Sequence, residues 1–465
     1  MKRSSITSLT RILSLALGTT ALTGLLALTP ASAESLTDAL TAAYATNPTL
    51  AAQRAQLRAT DESVPQALSG WRPTVQAQGT YGATHSETTL NSGIKSEGDI
   101  EPYTGSVTLS QNVFAGGRTV NATDQAEYAV LAGREILKSV EQDILFNAVQ
   151  AYMNVIRDQS TVELNRNNVE VLQRQLEATT DRFRVGELTR TDTAQAEARL
   201  SLSKSNLTAA EAQLTASRAF YERVVGQMPG TLEKPPAVTS LPESEEAARA
   251  LAERNNPRLQ AARYAERANS EAISVAKGVL LPSIDIQAQY QYGRDPSLTV
   301  RDVEESSLVG VLTIPLYQGG IEYSQVREAK ELHNQSRLEV AAAMREVDEA
   351  VRNAWDTLRS SRAKIISTKE GVNASEIALE GVRQESEVGA RTTLDVLNAE
   401  QETLNARVAL VSAERDLAVA EYGLLAAMGL LTAEALNLPV QYYDPTRNYE
   451  EVRNKWIGFG TAGDE

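Results

Sequence analysis

No cysteine occurs anywhere in the chain, and only two histidines do. The first absence removes disulfides as a source of stability in an oxidising compartment and leaves nothing to acylate at a lipoprotein cleavage site. Together the two leave too few thiolates and imidazoles for a transition-metal centre, and no cofactor is expected. Basic charge is short as well: 45 Lys and Arg stand against 60 Asp and Glu, a formal net charge of −15. Phosphate binding needs clustered Lys and Arg, which argues against nucleic acid as a partner. Beyond the N-terminus no segment reaches the ~20 consecutive apolar residues of a transmembrane helix. Catalytic signatures are missing too, with no nucleophile elbow and no histidine pair at helical spacing. "GFGTAG" at 458–463 has the letters of a dinucleotide fingerprint but follows no strand and opens no helix. The scattered acids read as a solvated face, and no enzyme activity is expected.

What is present begins with Lys2, Arg3 and Arg11, an apolar stretch from Ile12 to Leu28, and "ASA" at 31–33. These are the three parts of a secretory signal, so residues 1–33 are expected to be removed and the mature chain to start at Glu34. The removal takes away three positive charges and no negative ones, giving −18. A retained anchor is the alternative, with its apolar run interrupted by Gly18, Thr19, Thr20 and Gly24. An exported chain without a later transmembrane helix is either periplasmic or a β-barrel.

The rest is a repeat. "NPTLAAQRAQLRATDESVPQALSGWRP" (47–73) is answered by "NPRLQAARYAERANSEAISVAKGVLLP" (256–282), and "VGELTRTD" (185–192) by "VGARTTLD" (388–395). The Gly-Gly pairs in "NVFAGGRTV" and "PLYQGGIEY" share the offset of the second match. Two copies of one unit, 34–230 and 245–430, are thus joined by a proline-rich linker at 231–244 and followed by a tail, 431–465, expected to be equatorial or periplasmic.

Each unit switches from helix to strand and back. In the hairpin expected at 283–317, Ile284, Ile286, Ala288, Tyr290 and Tyr292 alternate with Asp285, Gln287, Gln289 and Gln291; the hairpin at 74–114 alternates likewise. Runs of this length suit tilted strands crossing a bilayer, with Ile284, Ile286, Ala288 and Tyr290 facing lipid and 83–102 and 293–306 as outer loops. Half-buried strands of a soluble sheet alternate in the same way. The membrane reading is favoured because each hairpin stands between very long helices, with no neighbouring strands to complete a sheet. Four strands cannot close a barrel and a membrane tolerates no open edge, so the chains must pool strands in an oligomer.

After each Gly-Gly pair the helical signal spans 118–226 and 321–428, broken once at a "VG" motif. Val155, Val162, Val169, Leu176 and Phe183 recur every seven positions. Val340, Met344, Val347, Val351 and Leu358 keep a 4, 3, 4, 7 spacing, and Leu397, Leu404 and Val411 fall seven apart. That is a coiled-coil seam. Gly116, Gly117, Gly319 and Gly320 supply backbone freedom where strand becomes helix, and Pro315 ends the ladder. Phe114 and Tyr317, with Trp71, Tyr81, Tyr103, Tyr290 and Tyr292, are placed to form aromatic girdles.

The duplicated layout, the Gly-Gly exits, the "NP…P" segments and "VGARTTLDVLNAE" resemble the TolC family of trimeric outer-membrane export channels over nearly the whole mature chain. The resemblance implies a mainly α fold with a transmembrane β-barrel part: three chains closing one twelve-stranded barrel, continued by an α-helical coiled-coil tunnel across the periplasm. It implies an export duct for small toxic compounds or unfolded proteins. Its partners would be a periplasmic adaptor (membrane fusion) protein, an inner-membrane transporter of the ABC, RND or MFS class, and outer-membrane lipid. The missing acylatable cysteine sets the chain nearer the TolC and type I secretion branch. A coiled-coil stalk or adhesin on a small barrel is the alternative, and duplicated hairpins favour the duct.

By the same resemblance the two "VG" turns form the closed periplasmic tip. Asp395 would supply a carboxylate ring, Arg391 the arginine that ties neighbouring coiled coils shut, and Thr191 and Asp192 its partners. The sequence departs from the family at Asn398, where a second acid is expected, and at Ser386, where a tyrosine is. The residues themselves leave a second reading open, in which Asp192 and Asp395 offset the positive end of the returning helix. Asp395 and Asn398, three apart, share one helix face.

Overall fold

The computed structural model describes residues 34–461 apart from 237, 239 and 240; the expected signal, 1–33, lies outside the described residues. The first repeat comprises α1 (Leu36–Thr46), α2 (Pro48–Asp61), α3 (Ser63–Leu68), β1 (Thr74–Tyr81), β2 (Thr84–Thr89), β3 (Lys95–Ile100), β4 (Tyr103–Ala115), α4 (Arg118–Arg184) and α5 (Arg190–Val225). The second comprises α6 (Glu245–Asn255), α7 (Pro257–Gly278), β5 (Ser283–Ser297), β6 (Val300–Thr313), α8 (Ile321–Glu387) and α9 (Thr393–Ala427). A short α10 (Arg447–Arg453) follows.

The repeated Asn-Pro is a clip. Asn47 and Asn256 cap α2 and α7, Asn47 Oδ1 accepting from the Thr49 amide and Asn256 Oδ1 from those of Arg258 and Leu259, with the proline at the first helical position where its missing N–H costs nothing. Each carboxamide then donates to the end of the returning long helix, Asn47 to the Val224 carbonyl (3.0 Å) and Asn256 to that of Ala427 (3.1 Å). Glu34 closes the same region. Its carboxylate accepts from Tyr221 (2.6 Å), Gln227 (3.1 Å) and the Gly230 amide (3.2 Å), and its carbonyl from Tyr152 (2.8 Å). Burial pushes the Tyr152 phenol up to about 12.

α4 and α8, 67 residues each, are rods of about 100 Å. Nearer the strands they pack on α7, where Arg258 bridges to Asp143 (2.9 Å) and His333 meets Glu266 (2.7 Å). Their far halves pair with α5 and α9, through Asn168–Ser203 (2.9 Å) and Lys364–Asp416 (3.0 Å). At mid-length lies the main core, with Leu145, Tyr152, Tyr221, Leu424, Met428 and Leu431 fully buried. Most of the expected seam is inside: Val155, Val162, Val347, Val351, Leu358, Leu397 and Leu404 are buried. Phe183 and Met344 are exposed instead, Phe183 because it sits in the last turn of α4, before α5 starts, and Met344 because it lines a groove between α6 and α8.

The sheet differs from the expectation of two separate hairpins. β4 pairs with β5, giving one four-stranded antiparallel sheet in the order β1-β4-β5-β6, with β1 and β6 as its free edges. The outer loops are also shorter than expected. β5 and β6 stay paired to Ser297↔Val300, and 83–102 holds a second hairpin, β2 with β3. Polar residues do not end a strand whose ladder is intact and whose faces both meet water.

Candidate functional site

The two "VG" turns have the same construction. Val185 and Val388 cap the ends of α4 and α8, and Gly186 and Gly389 take left-handed φ of 80° and 79°. Thr189 and Thr392 then cap α5 and α9 in reciprocal boxes with Asp192 and Asp395. Asp395 Oδ2 accepts from the Thr392 amide (2.9 Å) and hydroxyl (2.8 Å), while the Asp395 amide donates to Thr392 Oγ1 at 3.3 Å. Those bonds hold the Asp395 carboxyl below its usual range, with the Arg391 cation adding to them. Asp192 is lowered in the same way by Thr189. The helix-start role is therefore real for both residues, and it occupies one carboxylate oxygen of each.

Arg391 does not reach Thr191 or Asp192 in this chain; its Nε donates to Glu385 Oε2 at 2.7 Å, inside its own turn. Ser386, at the expected tyrosine position, gives its carbonyl to the Gly389 amide (3.1 Å) and so helps to form the turn. Asn398 Oδ1 accepts from Arg199 Nη2 at 2.7 Å, which joins the two helical hairpins. Beside it Leu397, 1 % exposed, inserts from α9 among Leu172, Ala196 and Leu200 of the first repeat. Arg199, Leu397 and Glu385 were not among the expected site residues. Arg199 had one signal: it lies seven positions after Asp192, two turns along the same face.

At the opposite end, the register puts Ile284 beside Phe114, Ala288 beside Leu109 and Tyr290 beside Val107 on one face of the sheet. A bulge between Asn112 and Phe114 returns Phe114 to that face. Tyr290 marks the outer limit of the apolar band, since its hydroxyl donates to Glu304 at 3.0 Å. The strand-to-helix turns need glycine for two reasons. Gly116, Gly117, Gly319 and Gly320 all have positive φ, between 63° and 86°. A Cβ at Gly116 would also stand 2.5 Å from the Gly278 carbonyl oxygen. Pro315 lies between the end of β6 and the second pair.

Four strands with two open edges, one apolar face, and long helices leaving from one end define a subunit of a barrel-and-tunnel channel, whose wall closes when copies pool their strands. A sequence profile of the family described as "Outer membrane efflux protein" matches residues 39–227 and 248–430. The chain is 38 % identical over 443 residues to the outer membrane efflux protein BepC of Brucella suis, covering 95 % of this chain and 94 % of BepC. It is 27 % identical over 411 residues to the outer membrane protein TolC of Vibrio cholerae (86 % and 92 %). The crystal structure of the CmeC outer membrane channel of Campylobacter jejuni superposes with a TM-score of 0.76 at 15 % identity, over 90 % of this chain and 89 % of that one. The chain belongs to the outer membrane efflux protein family. It is an outer-membrane export duct with a periplasmic helical tunnel, in a family of channels rather than enzymes. Channels of this family are trimers that work with adaptors and inner-membrane transporters.

Proposed function

We propose that the two capped turns are the gate of this duct. Three copies of Asp395 face the axis through the carboxylate oxygen that capping leaves available. Arg199–Asn398 and the Leu397 knob hold the two hairpins of each chain together, and the Arg391–Glu385 pair stiffens the second turn. Arg391 exchanges Glu385 for Thr191 or Asp192 of a neighbouring hairpin when the trimer closes. The unit that assembles is the chain from Glu34 onward, as repeats 34–230 and 245–430, with 431–443 packed at mid-length and the residues after them running toward β1. The cargo is small toxic compounds or unfolded proteins, handed over by a membrane-fusion adaptor from an ABC, RND or MFS transporter; the chain itself has no enzymatic role. One observation carries this reading: the sequence motif repeated at 185–192 and 388–395 recurs as one capped turn at the same end of both hairpins. Conductance in planar bilayers tests it. A parent channel that is nearly closed and cation-selective, and is blocked by trivalent cations, is the expected result; a wide, unselective pore would refute the gate.

A further inference from the structure

The C-terminal residues bring an unexpected apolar group back to the foot of the sheet. Arg72, two residues before β1, holds them there: its Nη1 donates to the Lys455 carbonyl at 2.8 Å and its guanidinium lies 5.1 Å from the centre of the Trp456 ring. Lys455 Nζ donates to the Gly460 carbonyl at 2.7 Å, curling the segment back on itself. Its apolar side chains point outward, with Trp456 65 % exposed, Ile457 91 % and Phe459 fully exposed. The same rim, where strands become helices, carries exposed Trp71, Phe114, Leu316 and Tyr317.

Three adjoining large apolar side chains in water are unfavourable, and a patch of this kind marks a contact surface. Arg72 fixes its level at the periplasmic ends of the strands, where the lipid-facing band leaves the hydrocarbon. Trp and Phe are favoured at the headgroup level, and the nearby Arg72 and Lys455 suit anionic headgroups. The patch thus lies at the level where the lipid-facing band ends. We propose that residues 455–460 form an interfacial foot, with Trp456, Ile457 and Phe459 inserted into the periplasmic leaflet of the outer membrane. In a chain without cysteine, such a foot supplies at this level the hold on lipid that an acyl chain would give.

The inference rests on insertion of the barrel and not on the gate. The lack of native cysteine makes Phe459→Cys a unique site for a nitroxide label. The full-length trimer is reconstituted in vesicles of phosphatidylethanolamine and phosphatidylglycerol, and conductance of the same sample establishes that the barrel is inserted. The label is expected to be more accessible to oxygen than to a water-soluble nickel chelate. As a second readout, Trp71→Phe/Trp355→Phe leaves Trp456 as the only tryptophan; its emission should shift to the blue and be quenched by brominated lipid. Quenching by aqueous iodide alone, with the label open to nickel, would overturn the proposal in favour of a solvated tail. Protection from lipid and water quenchers alike would overturn it in favour of a neighbouring copy of this chain.

Discussion

Arg199 and Asn398 meet across the two helical hairpins, guanidinium Nη2 to carboxamide Oδ1, at 2.7 Å. At the position where a second acid was expected, this chain places a neutral acceptor facing an arginine of its own first repeat. One consequence is fewer free carboxylates at the proposed gate. Another is a tie between hairpins that needs no neighbouring subunit.

Breaking that tie should loosen the tip. A hydrogen bond from a charged donor at a partly exposed site contributes about 1 kcal/mol, or roughly a five-fold change in the closed-to-open ratio. Arg199→Ala and Asn398→Ala should therefore raise basal conductance by similar factors, and the double variant should add little. Asn398→Asp should lower conductance, because a carboxylate adds ion-pair attraction to the bond that Arg199 already donates. Single-channel recordings check all four variants.

Capping and charge can be separated at Asp395. Thr392→Ala removes the cap and keeps the carboxylate, so it should make the tip noisier and leave cation selectivity intact. Asp395→Ala should change both, with weaker block by trivalent cations, since closely spaced carboxylates gain most from a cation between them.

The same boxes give a pH dependence. The carboxyls of Asp192 and Asp395 are held below their ordinary value of 3.8 by hydrogen bonds to Thr189 and Thr392. A lowered carboxyl favours the folded turn above the ordinary value and loses that contribution as pH falls through the depressed one. The turns should stay ordered through neutral and mildly acidic solution and loosen only below about pH 4. Amide exchange at 185–192 and 388–395 would follow this, and loosening near pH 6 would contradict it.

The two strand-to-helix junctions should not tolerate alanine equally. Gly319→Ala meets open space and carries only the left-handed penalty, about 1–2 kcal/mol. Gly116→Ala adds a clash with the Gly278 carbonyl and with Leu281. Trimer yield in outer membranes should fall much further for Gly116→Ala.

Faces of β5 should differ in the same assay. Ile286→Arg places a charge in the apolar band and should cost about 2–4 kcal/mol, whereas Gln287→Arg turns to the lumen and should be mild. Equal defects would mean that the alternation does not mark the lipid face.

Much of the molecule was legible in its sequence because the signals are local. Alternation in 283–292, heptads from Val155 to Leu176, Gly-Gly at positive φ, and Thr-x-x-Asp at the start of α5 and α9 each depend on residues a few positions apart. A helix or a capped turn is decided by just such neighbours. The repeat extended those signals to both halves of residues 34–430. Tertiary structure decided what depends on residues far apart in the chain. It joined β4 to β5 into one sheet, because ladder bonds between repeats leave no mark in either strand. It brought Arg199 to Asn398 and Leu397 to Leu172, contacts set by the packing of two hairpins. It also carried Trp456 back to Arg72, where a tail that reads as an ordinary terminus lies against the rim of the barrel.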